Sequence, residues 1–213
     1  LVNIQATNAP HMLFSEDNVV AKFNHNKSQW GLFYNLSARN FKKTYTDIDE
    51  TYVLENKTIH RVQEGLHDQN KHFTHNIDLS YNLTEQDKYV FNVVFRNSVY
   101  DAPCLNQSNK LYDAADADNY IFSRLKNKQS SYTPSLDLYY QRTLPKNQML
   151  TMSVTGTLMH TDNNRLYHEY TPQAEDLAML ETDVTGNKRS IIGEAIYDKR
   201  FKSLVFSSGL RHY

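Results

Sequence analysis

Reactive side chains are few in this chain of 213 residues, and none stands in a recognised catalytic pattern. There is no G-x-S-x-G, no H-E-x-x-H, no phosphate-binding Walker loop and no G-x-G-x-x-G. The single cysteine, Cys104, excludes an intrachain disulfide, and with no identifiable partner histidine it is not expected to be a nucleophile. His67, His72 and His75 fall in one stretch. His72 and His75 differ by three positions, so on an extended strand they point to opposite faces, a poor arrangement for a shared metal. Asp113, Asp116 and Asp118 offer hard oxygen ligands for Ca²⁺. They lack the glycine and distal glutamate of an EF-hand, so a solvated acidic tip is expected instead. No metal, no cofactor and no enzymatic chemistry is expected.

The polar residues that matter recur at every second position. In residues 29–39 one parity reads Trp30, Leu32, Tyr34, Leu36, Ala38, and the other includes Asn35, Ser37 and Arg39. In 73–83, Phe73, Ile77, Leu79, Tyr81 and Leu83 alternate with Asn76, Asp78, Ser80 and Asn82. Phe91, Val93 and Phe95 alternate with Asn92 and Arg96, and Leu136, Leu138 and Tyr140 with Asp137 and Gln141. Val154 lies on the apolar parity of 150–158, Glu194 and Asp198 on the polar parity of 191–198, and Leu204 and Phe206 close the series. A strand sends alternate side chains to opposite faces, so each run has one apolar and one wet surface. The expected water-facing set is Asn35, Arg39, Asp78, Asn92, Arg96, Asp137, Gln141, Glu194 and Asp198. The expected lipid-facing set is Trp30, Leu32, Leu36, Ile77, Leu79, Tyr81, Phe91, Val93, Leu138, Val154, Leu204 and Phe206.

Composition bounds the alternatives. Lys and Arg number 23 against 24 Asp and Glu, a net charge of −1, so no nucleic-acid partner is expected from a strong basic field. Aromatics make up 12% of the chain, too many for a disordered segment. No run approaches the roughly 20 apolar residues of a membrane helix. Mean hydropathy is −0.68. Polar overall yet rich in aromatics and β-formers, the chain suits either a soluble β protein or a membrane barrel with one wet face. It opens on Leu1-Val2-Asn3 with no export signal and ends on Arg211-His212-Tyr213 inside a strand-like run, which reads as a piece of a longer polypeptide.

Turn signals set the architecture. Short polar connections occur at Asn26-Lys27, Glu85-Gln86, Pro145-Lys146 and Phe201-Lys202, about 60 residues apart. Between them lie Glu55-Asn56-Lys57, Asp113-Ala114-Ala115-Asp116 and Thr171-Pro172-Gln173 as reversals. Each excursion is then about 25 residues each way, against about 9–11 for a bilayer-spanning strand. Phe23, Trp30, Tyr81, Tyr89, Tyr139, Tyr140, Tyr197, Phe201 and Phe206 cluster near the four tight turns, as an interfacial aromatic girdle would. The stretches 42–50, 64–71, 101–128 and 161–188 are polar and charged and read as distal loops. Their aromatics Tyr112, Tyr120, Tyr132, Tyr167 and Tyr170 offer stacking surfaces for a sugar or other ligand, or else extend the strand pairs.

Four stretches carry a family resemblance. They are Lys22-Phe23-Asn24-His25-Asn26-Lys27-Ser28-Gln29-Trp30-Gly31-Leu32; Asn76-Ile77-Asp78-Leu79-Ser80-Tyr81-Asn82-Leu83; Ser135-Leu136-Asp137-Leu138-Tyr139-Tyr140-Gln141-Arg142-Thr143-Leu144-Pro145-Lys146-Asn147-Gln148; and Ser190-Ile191-Ile192-Gly193-Glu194-Ala195-Ile196-Tyr197-Asp198-Lys199. Together they resemble the β-barrel of TonB-dependent outer-membrane receptors of Bacteroidetes type, the outer-membrane protein β-barrel family. The resemblance implies a barrel of about 22 strands with an N-terminal plug, and uptake of nutrients energised by TonB. No plug is recognisable in this chain.

The expected fold is all-β: an antiparallel up-and-down meander of about eight or nine strands in one partial domain over 1–213, a segment of a large transmembrane barrel with long extracellular strands and loops. The expected location is the outer membrane of a Gram-negative cell. The expected partners are outer-membrane lipid, the TonB system through a plug, and an extracellular ligand. The competing expectations are a structural or adhesive barrel protein and a soluble secreted carbohydrate-binding β-sandwich.

Overall fold

Period-two sequence with turn residues at the breaks dictates strands, and the computed structural model, which describes residues 1–9, 13–55 and 57–213, contains no helix among them. Eleven strands follow in chain order: β1 Val2–Ala9, β2 Phe14–His25, β3 Ser28–Thr44, β4 Ile48–Leu54, β5 Lys57–Leu66, β6 Asp68–Glu85, β7 Tyr89–Asp113, β8 Asp116–Leu144, β9 Gln148–Tyr170, β10 Asp176–Arg200 and β11 Val205–His212. All pairings are antiparallel within one open sheet, in the order β1-β2-β3-β6-β7-β8-β9-β10-β11.

The two strands off that path continue its neighbours. β4 pairs β5 from Ile48↔Gln63 to Leu54↔Lys57, in line with the β3–β6 register of Ser28↔Leu83. β5 in turn pairs the far half of β7, from Leu66↔Ser108 to Arg61↔Asp113, where β6 has ended. β3 with β4, and β5 with β6, are therefore two long strands, interrupted at 45–47 and at 67. Eight or nine strands were expected, and nine form the main path. The reversal at 55–57 is where the spacing placed it, although Asn56 itself lies outside the described residues.

The expected distal loops are a point of correction. Most of 42–50, 64–71, 101–128 and 161–188 is strand, and β7 and β8 run on for 25 and 29 residues. Polar side chains do not break a strand whose backbone is paired on both sides, and polarity there marks wet surfaces rather than loss of pairing. Short reversals remain at 114–115 and 171–175.

Glycine is absent from the described turns. All six glycines lie in strands, and the left-handed backbone of the described turns is carried by Leu13, Asn26, Glu55, Asp87, Lys146, Asn147 and Ala174. Asn and Asp tolerate that region better than other side chains, which suits Asn26, Asp87 and Asn147.

The sheet has one layer. Among the described residues only Ala102 and Leu111 are buried hydrophobics, and no large side chain is fully enclosed. The accessible surface is 14960 Å², where a compact protein of this mass would expose about 10,000 Å². A two-layer sandwich is not what this chain forms.

Register across the sheet is staggered. The closing pair of the first tight hairpin, His25↔Ser28, is level with Leu83, Phe91, Tyr140, Met152 and Ala195. The next hairpins close at Glu85↔Tyr89, Leu144↔Gln148 and Arg200↔Val205. These close about two, four and five residues lower, over two, four and six strands. With about 3.3 Å per residue and about 4.8 Å between strands, the strands lean about 30–35° from the perpendicular to the line of turns. Strands of closed barrels tilt by about 35–45°.

Candidate functional site

Residues directly opposite in paired strands share a face, so the register sorts every side chain without further assumption. One face carries Trp30, Tyr81, Val93, Leu138 and Val154 in one row and Leu32, Leu79, Phe95, Leu136 and Ile191 in the next. Leu36, Ile77, Phe91 and Phe206 lie on this same face. It is apolar and open: Leu79 is 43% exposed, Trp30 54% and Ile191 68%. Leu204 differs from expectation. It sits in the four-residue turn after β10, where its carbonyl accepts from the Phe201 N–H at 2.7 Å, and belongs to neither face.

The apolar patch is a slanted band. It covers residues 30–38 on β3, 73–83 on β6, 91–99 on β7, 132–140 on β8, 150–158 on β9 and 191–197 on β10. The band steps down across the sheet with the turns. Its width on most strands is nine to eleven residues, the length a bilayer-spanning strand needs. Phe23, Trp30, Tyr81, Tyr140 and Tyr197 lie at its turn-side margin, with Trp30 and Tyr81 ring centroids 4.3 Å apart. Tyr139 does not join them: it faces the other side and donates to Gln141 at 2.6 Å.

The opposite face is a hydrogen-bonded polar ladder. Asn35, Arg39, Asp78, Asn92, Arg96, Asp137, Gln141, Glu194 and Asp198 all lie on it. Asn35 donates to Asn18 at 2.8 Å and accepts from Asn76 at 3.2 Å. Asn92 donates to Asn82 at 2.6 Å. Arg39 reaches Glu16 at 3.2 Å with its guanidinium over the Phe14 ring. Arg96 pairs with Asp137, whose other oxygen accepts from Thr155 at 2.8 Å. Asp198 accepts from Ser207, and Gln141 donates to the Met149 sulfur. These contacts reach from β2 to β11, while Asp78 and Glu194 stand on the same face with no side-chain hydrogen bond or ion pair to a described residue. Such a surface keeps its charges hydrated and paired.

Beyond the band, on this polar face, a half-open hollow lies under a crossing segment. Where β3 gives way to β4, the segment 45–47 crosses over the sheet as a strap. Its Thr46 backbone lies directly over Gly65, where a Cβ would come within 2.5 Å of the Thr46 nitrogen. The Gly65 N–H donates to Asp47 at 2.8 Å and pins the strap. Beneath it lie the buried Asn109 and Ser123, paired in register with Gly65. Beside it β7 bulges between Ala102 and Leu105. Strap and bulge together bound a cavity of about 440 Å³ lined by Phe41, Tyr45, His72, Leu105, Leu125 and Asn127.

Two polar atoms in that wall, His72 Nδ1 and Asn127 Oδ1, are buried with no partner among the described residues. Burial, and then the nearby Arg39 charge, hold the His72 imidazole below its ordinary pKa, so it is neutral at pH 7. A neutral imidazole and an amide oxygen, set beside Phe41 and Tyr45, can receive a small hydroxylated molecule with one apolar side. The strap was missed because 64–71 was read as a loop; Gly65 in fact lies inside β5, and a glycine inside a strand is the usual sign that another backbone comes close.

The other candidates stay separate. His72 lies on the polar face and His75 on the apolar face, where His75 Nδ1 meets the Tyr34 hydroxyl at 2.8 Å. Asp113 accepts from the Ala115 N–H at 2.9 Å and shapes the turn at 114–115. Among the described residues no three His, Cys, Asp or Glu side chains are grouped to hold a metal. Tyr112 stands opposite Tyr120, and its hydroxyl donates to Glu64 at 2.7 Å, which raises its pKa. At the far edge of the band, Asp162 accepts from Thr185 at 2.7 Å and contacts His160 at 2.9 Å, and both hold its carboxyl below the ordinary range. Compared with models of known protein families and with curated proteins, the sequence matches none.

Proposed function

We propose that this chain is a wall segment of an outer-membrane β-barrel of the TonB-dependent receptor type, and that it serves nutrient uptake without chemistry of its own. The single observation that carries the reading is the slanted apolar band. It is nine to eleven residues wide on most strands, faces away from a hydrogen-bonded polar ladder, and follows the line of turns. A soluble sheet hides such a face under a second layer, and the described residues form none. In the proposed setting the band contacts lipid and the ladder lines a wet lumen. Lipid offers nothing to an unpaired N–H or C=O, so β1 and β11 need pairing partners for the wall to close. The long far halves of β7 to β10 project outside the cell, and the strap cavity meets the extracellular ligand on the lumen side. Energy coupling runs through a plug and TonB.

The test is expression of the full-length polypeptide in a Gram-negative host. The expected result is outer-membrane fractionation, extraction only by detergent, and faster gel migration before boiling than after. A chain that purifies as a monomer from the soluble fraction refutes the reading and favours a secreted binding protein.

A further inference from the structure

β4 has a neighbour on one side only. It pairs β5 from Ile48↔Gln63 to Leu54↔Lys57, and no described strand pairs its other edge. The strand that would cover that edge stops short. β2 begins at Phe14 opposite Arg39, and the last bond on that side runs from the Asn40 N–H to the Leu13 carbonyl at 3.0 Å. The ladder says which groups are left open. The His60 carbonyl accepts from the Ala114 N–H at 2.8 Å, so His60 turns its backbone towards β7 and away from Thr51, its opposite number on β4. Successive residues of an antiparallel strand bond to opposite sides. Ile48, Glu50, Tyr52 and Leu54 therefore bond β5, while Asp49, Thr51 and Val53 each present an N–H and a C=O to the open edge.

Sheet edges are ordinarily guarded against further pairing by lysine, proline or a bulge. Lys42 and Lys43 guard the end of β3 in this way. β4 carries none of these: its register with β5 is unbroken, and Val53 and Leu54 are 69% and 60% exposed. Its charge is of one sign. Between Thr44 and Asn56 stand Asp47, Asp49, Glu50 and Glu55, with no lysine or arginine. The Gly65 N–H engages Asp47, and His60 engages Asp49. Glu50 has only the Gln63 amide at 3.4 Å.

We infer that β4 is an acceptor strand, which an extended segment of a secreted or surface protein extends by antiparallel pairing. Asp49, Thr51 and Val53 supply the main-chain bonds, and the side chains of β4 select the segment. Opposite Tyr52, Val53 and Leu54 it needs apolar β-formers, and opposite Asp49 and Glu50 it needs two adjacent lysines or arginines. Read in its own chain direction, it is an apolar run followed by a basic pair. A second copy of this chain is the poorer occupant. It would bring four more carboxylates to the edge. In a membrane both copies also run β4 the same way, whereas like strands pair symmetrically only when opposed. The location of the partner and this last point rest on the membrane-wall reading above; the open edge and its charge do not.

The experiment titrates the full-length polypeptide, taken in mild detergent from membranes or directly from the soluble fraction, with a fluorescent synthetic peptide of β4's length. Its order is valine, tyrosine, valine, threonine, lysine, lysine, valine. Binding is read by anisotropy, and its place by amide hydrogen exchange. The expected result is saturable binding with exchange slowed at 48–54. Methylating alternate peptide nitrogens, which keeps the charge and removes the pairing, is expected to weaken binding at least tenfold. Thr51→Pro removes an outward N–H and leaves the β5 ladder whole, with the same expected loss. Glu50→Gln, which leaves the backbone untouched, is expected to weaken binding at least threefold. No binding by the parent overturns the inference, as does a methylated peptide that binds equally or a Thr51→Pro variant that matches the parent. Protection of 48–54 that rises with protein concentration and needs no peptide overturns the choice of partner in favour of a second copy. Either fraction gives the same readout, so a failed membrane reading and a failed edge are told apart.

Discussion

Replacing Leu79 by lysine places a charge at the centre of the band. Leu79 is flanked in register by Leu32 on β3 and Phe95 on β7, and is 43% exposed on the apolar face. The margins on β6 lie four to six residues away, about 13–20 Å along the strand. A lysine stem cannot carry its ammonium that far, so snorkelling gives no relief. The charge costs about 2–4 kcal/mol at mid-depth, a shift of roughly 30- to 800-fold in the folded ratio. Ser80→Lys is the matched control, since Ser80 faces the ladder in the row of Val94 and Asp137. There the ammonium meets water and a carboxylate two strands away. Its main loss is the seat of the Ser80 hydroxyl over Gly31. The assay is urea unfolding of the full-length variants in micelles, read by heat-modifiable migration. Leu79→Lys should lower the midpoint by the equivalent of at least 2 kcal/mol, and Ser80→Lys by less than about 1 kcal/mol. Equal losses would refute the assignment of faces.

Three further outcomes follow from the geometry. Glu85, at the end of β6 beyond the band, is held down to a pKa of about 2 by hydrogen bonds from Lys27 and then Lys88. A depressed carboxylate stabilises above its unfolded pKa and loses that contribution as pH falls, here between about pH 4.5 and 2. Glu85→Gln should therefore flatten the acid limb of a stability–pH profile in that window, and an unchanged limb would count against the lysine pair. Gly65→Val sets a side chain against the Thr46 backbone and should lift the strap. New protease cuts at 45–47 with an intact membrane band are the expected result, and a strap as resistant as the parent's would contradict the close approach. Arg96 and Asp137 are both partly exposed on the wet face. A double-mutant cycle with Arg96→Gln and Asp137→Asn should give a coupling below about 1 kcal/mol, whereas more than about 2 kcal/mol would mean a dry interior.

The strand content was legible because alternation is the direct image of a pleat. Trp30, Leu32, Tyr34 and Leu36 share a parity in the sequence and a face in the structure for one geometric reason. Turn placement was legible from the short polar connections Asn26-Lys27, Glu85-Gln86 and Pro145-Lys146, which fall on or beside the left-handed residues Asn26, Asp87, Lys146 and Asn147. Contacts between distant parts of the chain were not. Tyr139 was grouped with the girdle by its closeness to a hairpin, although its parity, shared with Asp137 and Gln141, already sends it to the polar face. Leu204 matches the parity of Phe206, but a four-residue turn has no parity. The polar stretches beyond the band were misread as loops because hydropathy reports the medium a side chain meets, while strand pairing belongs to the backbone. The cavity at His72 and Asn127 depends on a strap and a bulge meeting across sixty residues, and no local pattern encodes that meeting.

The meander has a kinetic consequence. From β2 to β11 every pair on the main path grows outward from a reversal of a few residues, including β3–β4 against β5–β6 from its tip at 55–57. Each hairpin can zip residue by residue, and the entropy lost in bringing remote segments together is small at every step. In the proposed barrel that cost falls on closure, where the outer edges of β1 and β11 are paired.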